Sequence, residues 1–199
     1  EQFWGNKEYV DYFTKIENAV SATENEVLTY DDKLILPVFF YTGSGYTRNA
    51  SEAWGVDIAY LTSVSSKQDV TSTDYLKITE YPVSDVISLL EKHYTDPGIS
   101  EDKFFDEVKV TERDSIDYVK KISLGSQTVS GEEFARVLGL NSSHFYIEDY
   151  EGKVRIICNG VGHGLGLSQY GANAMAEGGS SFQDILKHYY SGAEIVKLK

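Results

Sequence analysis

The chain has 199 residues, 41% of them hydrophobic, enough to bury a sizeable core, and a single large domain spanning residues 1–199 is the expectation. Its 31 acidic against 18 basic residues give a formal net charge of -13, which disfavours nucleic acid as a partner because phosphate binding depends on Lys and Arg. No stretch approaches the roughly 20 apolar residues of a membrane span, and no charged start leads into an apolar signal core.

Because the sequence opens at Glu1 rather than Met, a processed product is expected, with any leader or membrane anchor upstream. The one cysteine excludes an internal disulfide and leaves the redox compartment open. Along the chain, Phe13, Ile16 and Val20 recur at helical spacing within residues 7–23. Glu26–Tyr30, the turn pair Asp31-Asp32 and the apolar run Lys33–Tyr41 then predict a β-hairpin. Ser44–Trp54 is small, polar and glycine-containing, the composition of a loop at the rim of a site. Residues 58–64 predict a short strand, and Ser84 is expected to cap a helix ending before Pro97-Gly98. The acidic stretch between Asp96 and Lys120 reads as a solvated face or an insertion. Ser130 has capping-box spacing to Glu133 and predicts a helix stopping at Gly139. Phe145–Asp149 and Lys153–Cys158 flank Glu151-Gly152 as a second hairpin, and Ser181 caps a last helix carrying Ile185, Leu186, Tyr189 and Tyr190. The order predicts an α+β domain, mainly antiparallel with flanking helices, whose glycine-rich loop leads into the C-terminal helices.

That loop is the strongest local signal: glycines recur at 160, 162, 164, 166 and 171 around His163 and Ser168. Glycine permits positive φ and close backbone approach at an entropic cost that a plain loop would not incur five times. Ser168 is a candidate N-cap whose helix would point free N–H groups into the loop, where a carbonyl, carboxylate or oxyanion could sit beside His163. A tightly packed turn with a satisfied His163 explains the same glycines. No window matches a nucleotide loop, and Gly166–Gly171 is one residue too long for a serine-hydrolase elbow. Cys158 alternates with Val154 and Ile156 and reads as a buried thiol rather than a metal ligand.

The segment Gly160–Ala172 resembles the C-terminal signature of the stage II sporulation protein D (SpoIID) and amidase-enhancer family, a G-x-G-H-G-x-G-x-S-Q-x-G-A run followed by an Ala-rich helix, a Gly pair and an aromatic helix. The resemblance covers most of the chain, with residues 70–125 weakest and read as a family-variable insertion. Thr42–Thr47 stands where the family has Thr-Ser-Gly-Gly-x-Thr, with Ser and Gly exchanged. The resemblance implies a peptidoglycan lytic transglycosylase that leaves 1,6-anhydro ends, or else a non-catalytic amidase enhancer. Its partners would be glycan strands and a cell-wall amidase or other sporulation hydrolase. It would act outside the cytoplasm of a Gram-positive spore former, anchored or secreted. Ser44, Gly45, Thr47, His163, Ser168 and Gln169 are the substrate-binding candidates the resemblance supplies, with Tyr46 and Trp54 as stacking rings. The family's catalytic Glu lies upstream of the matching region, so no catalytic residue is assigned, and no metal or cofactor is expected.

Overall fold

The computed structural model describes residues 7–198. The chain divides into two compact units: one runs to Leu36 and resumes at Ala193, and the other is Pro37–Gly192. In the first, helix α1 (Lys7–Ala22) precedes β1 (Glu26–Tyr30) and β2 (Lys33–Leu34), with Asp31 and Asp32 both at positive φ in the turn. The C-terminal strand β11 (Glu194–Lys197) pairs antiparallel with β1, from Glu26 opposite Lys197 to Thr29 opposite Glu194. The run expected as one strand to Tyr41 is interrupted after Leu34, because Pro37 has no amide hydrogen to give a ladder.

In the second unit the order is β3 (Phe39–Phe40), α2 (Ala50–Ala53), β4 (Leu76–Pro82), α3 (Val83–Glu91), α4 (Phe104–Glu107), β5 (Val108–Arg113), β6 (Val119–Leu124), β7 (Gln127–Ser130), α5 (Gly131–Val137), β8 (Phe145–Tyr150), β9 (Lys153–Asn159), β10 (Leu167–Ser168), α6 (Gln169–Glu177) and α7 (Phe182–Tyr189). Two antiparallel sheets, β4-β9-β8 and β5-β6-β7, share this unit with a two-residue parallel pairing of β10 and β3. The architecture is α+β with mainly antiparallel pairing. The core gathers Val86 and Leu90 of α3, Ile122 and Leu124 of β6, Phe134 of α5, Phe145 of β8 and Val154 of β9, all without solvent exposure. Val154, Ile156 and Cys158 point inward together from β9, so Cys158 is a buried thiol. Residues 70–125 supply β4, β5, β6 and a large share of this core.

Two local expectations are corrected. Residues 58–64 form no strand, because their hydrogen bonds go to a loop: the amides of Ala50 and Thr47 donate to the carbonyls of Leu61 and Val64. Helix α3 starts at Val83, so Ser84 lies in its first turn and Pro82 takes the cap position. By contrast, Ser130 accepts from the Glu133 amide at 3.1 Å, and Ser181 forms a reciprocal box with Asp184.

Gly131 opens α5 directly against the Val119 carbonyl, leaving no room for a Cβ. Alanine is ordinarily about 1 kcal/mol better than glycine in a helix. Here Gly131→Ala is expected to lower stability by about 1–3 kcal/mol, as overpacking does, read as a reduced urea midpoint.

Candidate functional site

The loop Gly160–Ser168 is tied down along its length. Val161 and Thr42 exchange backbone hydrogen bonds, Gly162 donates to the Asn141 carbonyl, Leu167 to that of Val38, and the Arg48 amide to Gly164 at 2.7 Å. Loops 42–48 and 160–168 therefore lie side by side. The glycines are required by contact as well as by φ: a Cβ on Gly166 would strike the Val38 carbonyl, and one on Gly164 would meet the Tyr118 ring at 2.8 Å. Leu165 is fully buried between them, and His163 projects outward.

At the base of the loop lies Asp69, with 0% of its surface exposed. Its carboxylate accepts from the Ser168 hydroxyl and the Gly43 amide, each at 2.7 Å. Ser66 and the Gly171 amide also favour its charged form, but burial outweighs them and raises its pKa from the ordinary aspartate value. The Ser66 hydroxyl in turn bonds the Tyr189 hydroxyl at 2.8 Å, and these groups fill the space where a Gly171 side chain would stand. The start of α6 is consequently closed. Ser168 caps the Gly171 amide, the Tyr170 amide donates to Tyr41, and the negative group at this helix N-terminus is the protein's own Asp69. The Tyr170 and Gly171 amides, expected to face a ligand, are already satisfied.

A second buried charge lies behind the loop. Arg48, 2% exposed, pairs with Asp114 at 2.7 Å and with the half-exposed Glu132 at 2.8 Å, and its Nη1 also donates to the His163 carbonyl. Its guanidinium lies 4.6 Å from the Tyr118 ring centroid, and Tyr118 packs on His144 at 5.1 Å. Arg48 Nη2, the Tyr118 hydroxyl and His144 Nδ1 are buried without hydrogen-bond partners. Burial holds the His144 imidazole well below its usual value, at about 4.

With this geometry in place, the sequence can be compared with known proteins. No family model matches the chain. It is 37% identical to stage II sporulation protein D of Bacillus amyloliquefaciens over 96% of its own length and 54% of that protein. It is 34% identical to the Bacillus subtilis protein of the same name over the same shares. An amidase enhancer of Bacillus subtilis matches at 27% identity, over 89% of the chain and 32% of the enhancer. The chain is homologous to about half of each of these stage II sporulation protein D sequences. It spans about half the length of the SpoIID proteins it matches.

The SpoIID signature residues divide into two groups in space. Ser168 and Thr47 are fully buried, so neither presents its hydroxyl to a ligand. Thr47 donates to the Thr62 carbonyl and accepts from the Val64 amide. Ser168 is engaged by Asp69 and Gly171, and no hydrogen bond joins it to His163, which removes a Ser168/His163 nucleophile. Gly45 is buried backbone at positive φ. His163 and Gln169 are exposed, as are Tyr46 and Trp54, and Ser44 is half-buried beside Tyr118. The Leu165 amide donates to His163 Nδ1, which places the proton of the neutral ring on Nε2. Although His163 is exposed at its edge, its ring packs on Phe40 at 5.9 Å between centroids, and this partial burial lowers its pKa, a backbone hydrogen bond with Phe39 opposing and the Arg48 charge adding to the shift. Asp69, Arg48, Asp114 and Glu132 carry the site's electrostatics and were not singled out from the sequence. Only the unexplained cation in the small-residue run 42–51 hinted at them.

Asp69→Asn would turn a donor toward Ser168 or Gly43, each of which already donates. It is expected to cost about 1–3 kcal/mol, measured by chemical denaturation. His144 gives a pH prediction. With a folded pKa depressed to about 4 against 6.5 unfolded, only the unfolded state takes the proton between these values. Stability from this group is full above pH 6.5 and declines as pH falls toward 4, by about 3 kcal/mol in total. The raised Asp69 acts with the opposite sign, gaining stability as pH falls through its own range. Thermal melts of His144→Phe should show a flatter acid limb than wild type; an unchanged limb would assign the titration elsewhere.

Proposed function

We propose that this chain holds the peptidoglycan substrate in a SpoIID-type lytic transglycosylase that acts outside the cytoplasm during sporulation. The carrying observation is that the Gly160–Ser168 loop is locked on its inner side by Asp69 and Arg48 while His163 on it and Gln169, the first residue of α6, remain exposed. A site prepaid in rigidity in this way loses little entropy on binding. Cleavage between N-acetylmuramic acid and N-acetylglucosamine requires a carboxyl group that first protonates the glycosidic oxygen and then takes the proton from the muramoyl 6-hydroxyl as it attacks the anomeric carbon. Asp69 is sealed and Asp114 is buried against Arg48, so neither can reach a glycosidic oxygen. Neither of the two therefore serves as the acid. The exposed Gln169, with the half-buried Ser44, supplies donors and acceptors for acetamido and hydroxyl groups; His163, whose ring nitrogens are turned to the backbone of Leu165 and Phe39, offers its exposed edge, and Tyr46 offers a ring to a sugar face.

The match to an amidase enhancer favours a second reading, in which the same surface binds the wall and stimulates an amidase without cutting glycan. Mass spectrometry of denuded glycan strands separates the two. New anhydromuramoyl ends from the longer protein but not from this chain support the first; wall binding by both with no new ends supports the second. In either case Gln169→Ala is expected to weaken glycan binding about three- to tenfold, the loss of one hydrogen bond, in a pull-down titration with purified sacculi.

A further inference from the structure

A slot of about 410 Å³ lies on the second unit between strands β5 and β8. Each is the outer strand of its own three-stranded sheet, with a partner on one side only. Side chains alternate between the two faces of a strand, so consecutive residues can line one cavity only if it runs along the strand's edge. Val108, Lys109 and Val110 do so from β5, and Tyr146 and Ile147 from β8. The slot is thus bordered by two backbone edges; of the groups facing away from β6 and β9, the Val108 amide donates to the Phe104 carbonyl and the Phe145 carbonyl accepts from Arg113, while Val110 and Ile147 between them face the slot as edge positions for a further strand. The walls between them are largely apolar, and the volume lies within the range of binding sites.

Charge indicates what fits. Lys109 is paired with Asp106 at 3.0 Å, and Asp149 at the rim accepts from the Gly152 amide in its own hairpin turn. Arg113 differs. A register irregularity in β5 sets it at the slot's end, over the Tyr146 ring at 4.4 Å, and its hydrogen bonds go to the carbonyls of Asp117 and Phe145 rather than to a carboxylate. It is a cation set at the end of an apolar slot, on a chain of formal charge -13.

We propose that the slot is a strand-addition site for an extended apolar segment of a partner protein that brings an acidic group to Arg113. The segment would insert between β5 and β8, pair with both edges, and join the two sheets through one added strand. The assignment is independent of what the glycine loop binds.

Selection of a phage-displayed random octapeptide library on the chain tests it, followed by fluorescence anisotropy with synthetic copies of the enriched peptides. The expected winners alternate apolar residues and carry Asp, Glu or a free C-terminal carboxylate. Arg113→Gln should weaken them about tenfold, as for loss of one charged hydrogen bond. Methylating alternate peptide amides, which leaves the protein untouched, should abolish binding, and amide exchange at Val110 and Ile147 should slow in the complex. The proposal is overturned if no peptide family is enriched, or if binding tolerates backbone methylation. It is equally overturned if exchange protection at these residues comes from a second copy of the chain or from soluble muropeptides instead.

Discussion

A carboxylate taken out of water without a cation beside it is expensive, and the candidate site rests on one. Asp69 is stabilised by donors from separate parts of the chain: the Gly43 amide, the Ser168 hydroxyl, Ser66 and the amide of Gly171 at the start of a helix. Each donor loses an acceptor if the others move, so the arrangement is cooperative. Three segments, joined in regular sheet only by the short β3–β10 pairing of two of them, are brought to one point, and the outward surface of the glycine loop inherits their rigidity.

Arg48 solves the converse problem by a different route. Its charge is met by Asp114 and Glu132, and its flat face rests on Tyr118. The anion at the base of the loop is held mainly by neutral dipoles, and the cation behind it by opposite charges. The two arrangements fix opposite ends of the run 43–48 and both reach the loop 163–168. Together they leave a surface whose donors and rings vary in exposure while its backbone has little freedom.

What could be read in advance follows the range of the interactions. Helices α5 and α7 and the β8–β9 hairpin announce themselves through Ser130, Ser181 and Glu151-Gly152, because caps and turns act within three or four residues. The glycine loop was equally legible, since five glycines in twelve residues demand an explanation. Residues 58–64 were misread because strand character depends on a partner, and theirs is a loop. Asp69 was passed over because its donors lie 26 and 99 positions away; Arg48 because its carboxylates lie 66 and 84 away. Thr47 and Ser168, expected to face a ligand, are fully buried: a hydroxyl in a motif says that a hydrogen bond is made, not on which side of the backbone.

The crowding around Gly164 and Gly166 also bears on how such a loop can diversify. Since any side chain there collides with Tyr118 or with the Val38 carbonyl, sequence change is steered away from the backbone frame and onto the outward positions, His163 and Gln169. The frame works as a fixed jig carrying interchangeable tips. A combinatorial library confined to those two positions would explore new surface chemistries with only the His163–Leu165 hydrogen bond of the scaffold at stake, whereas one spread across the glycines would mostly sample misfolded chains.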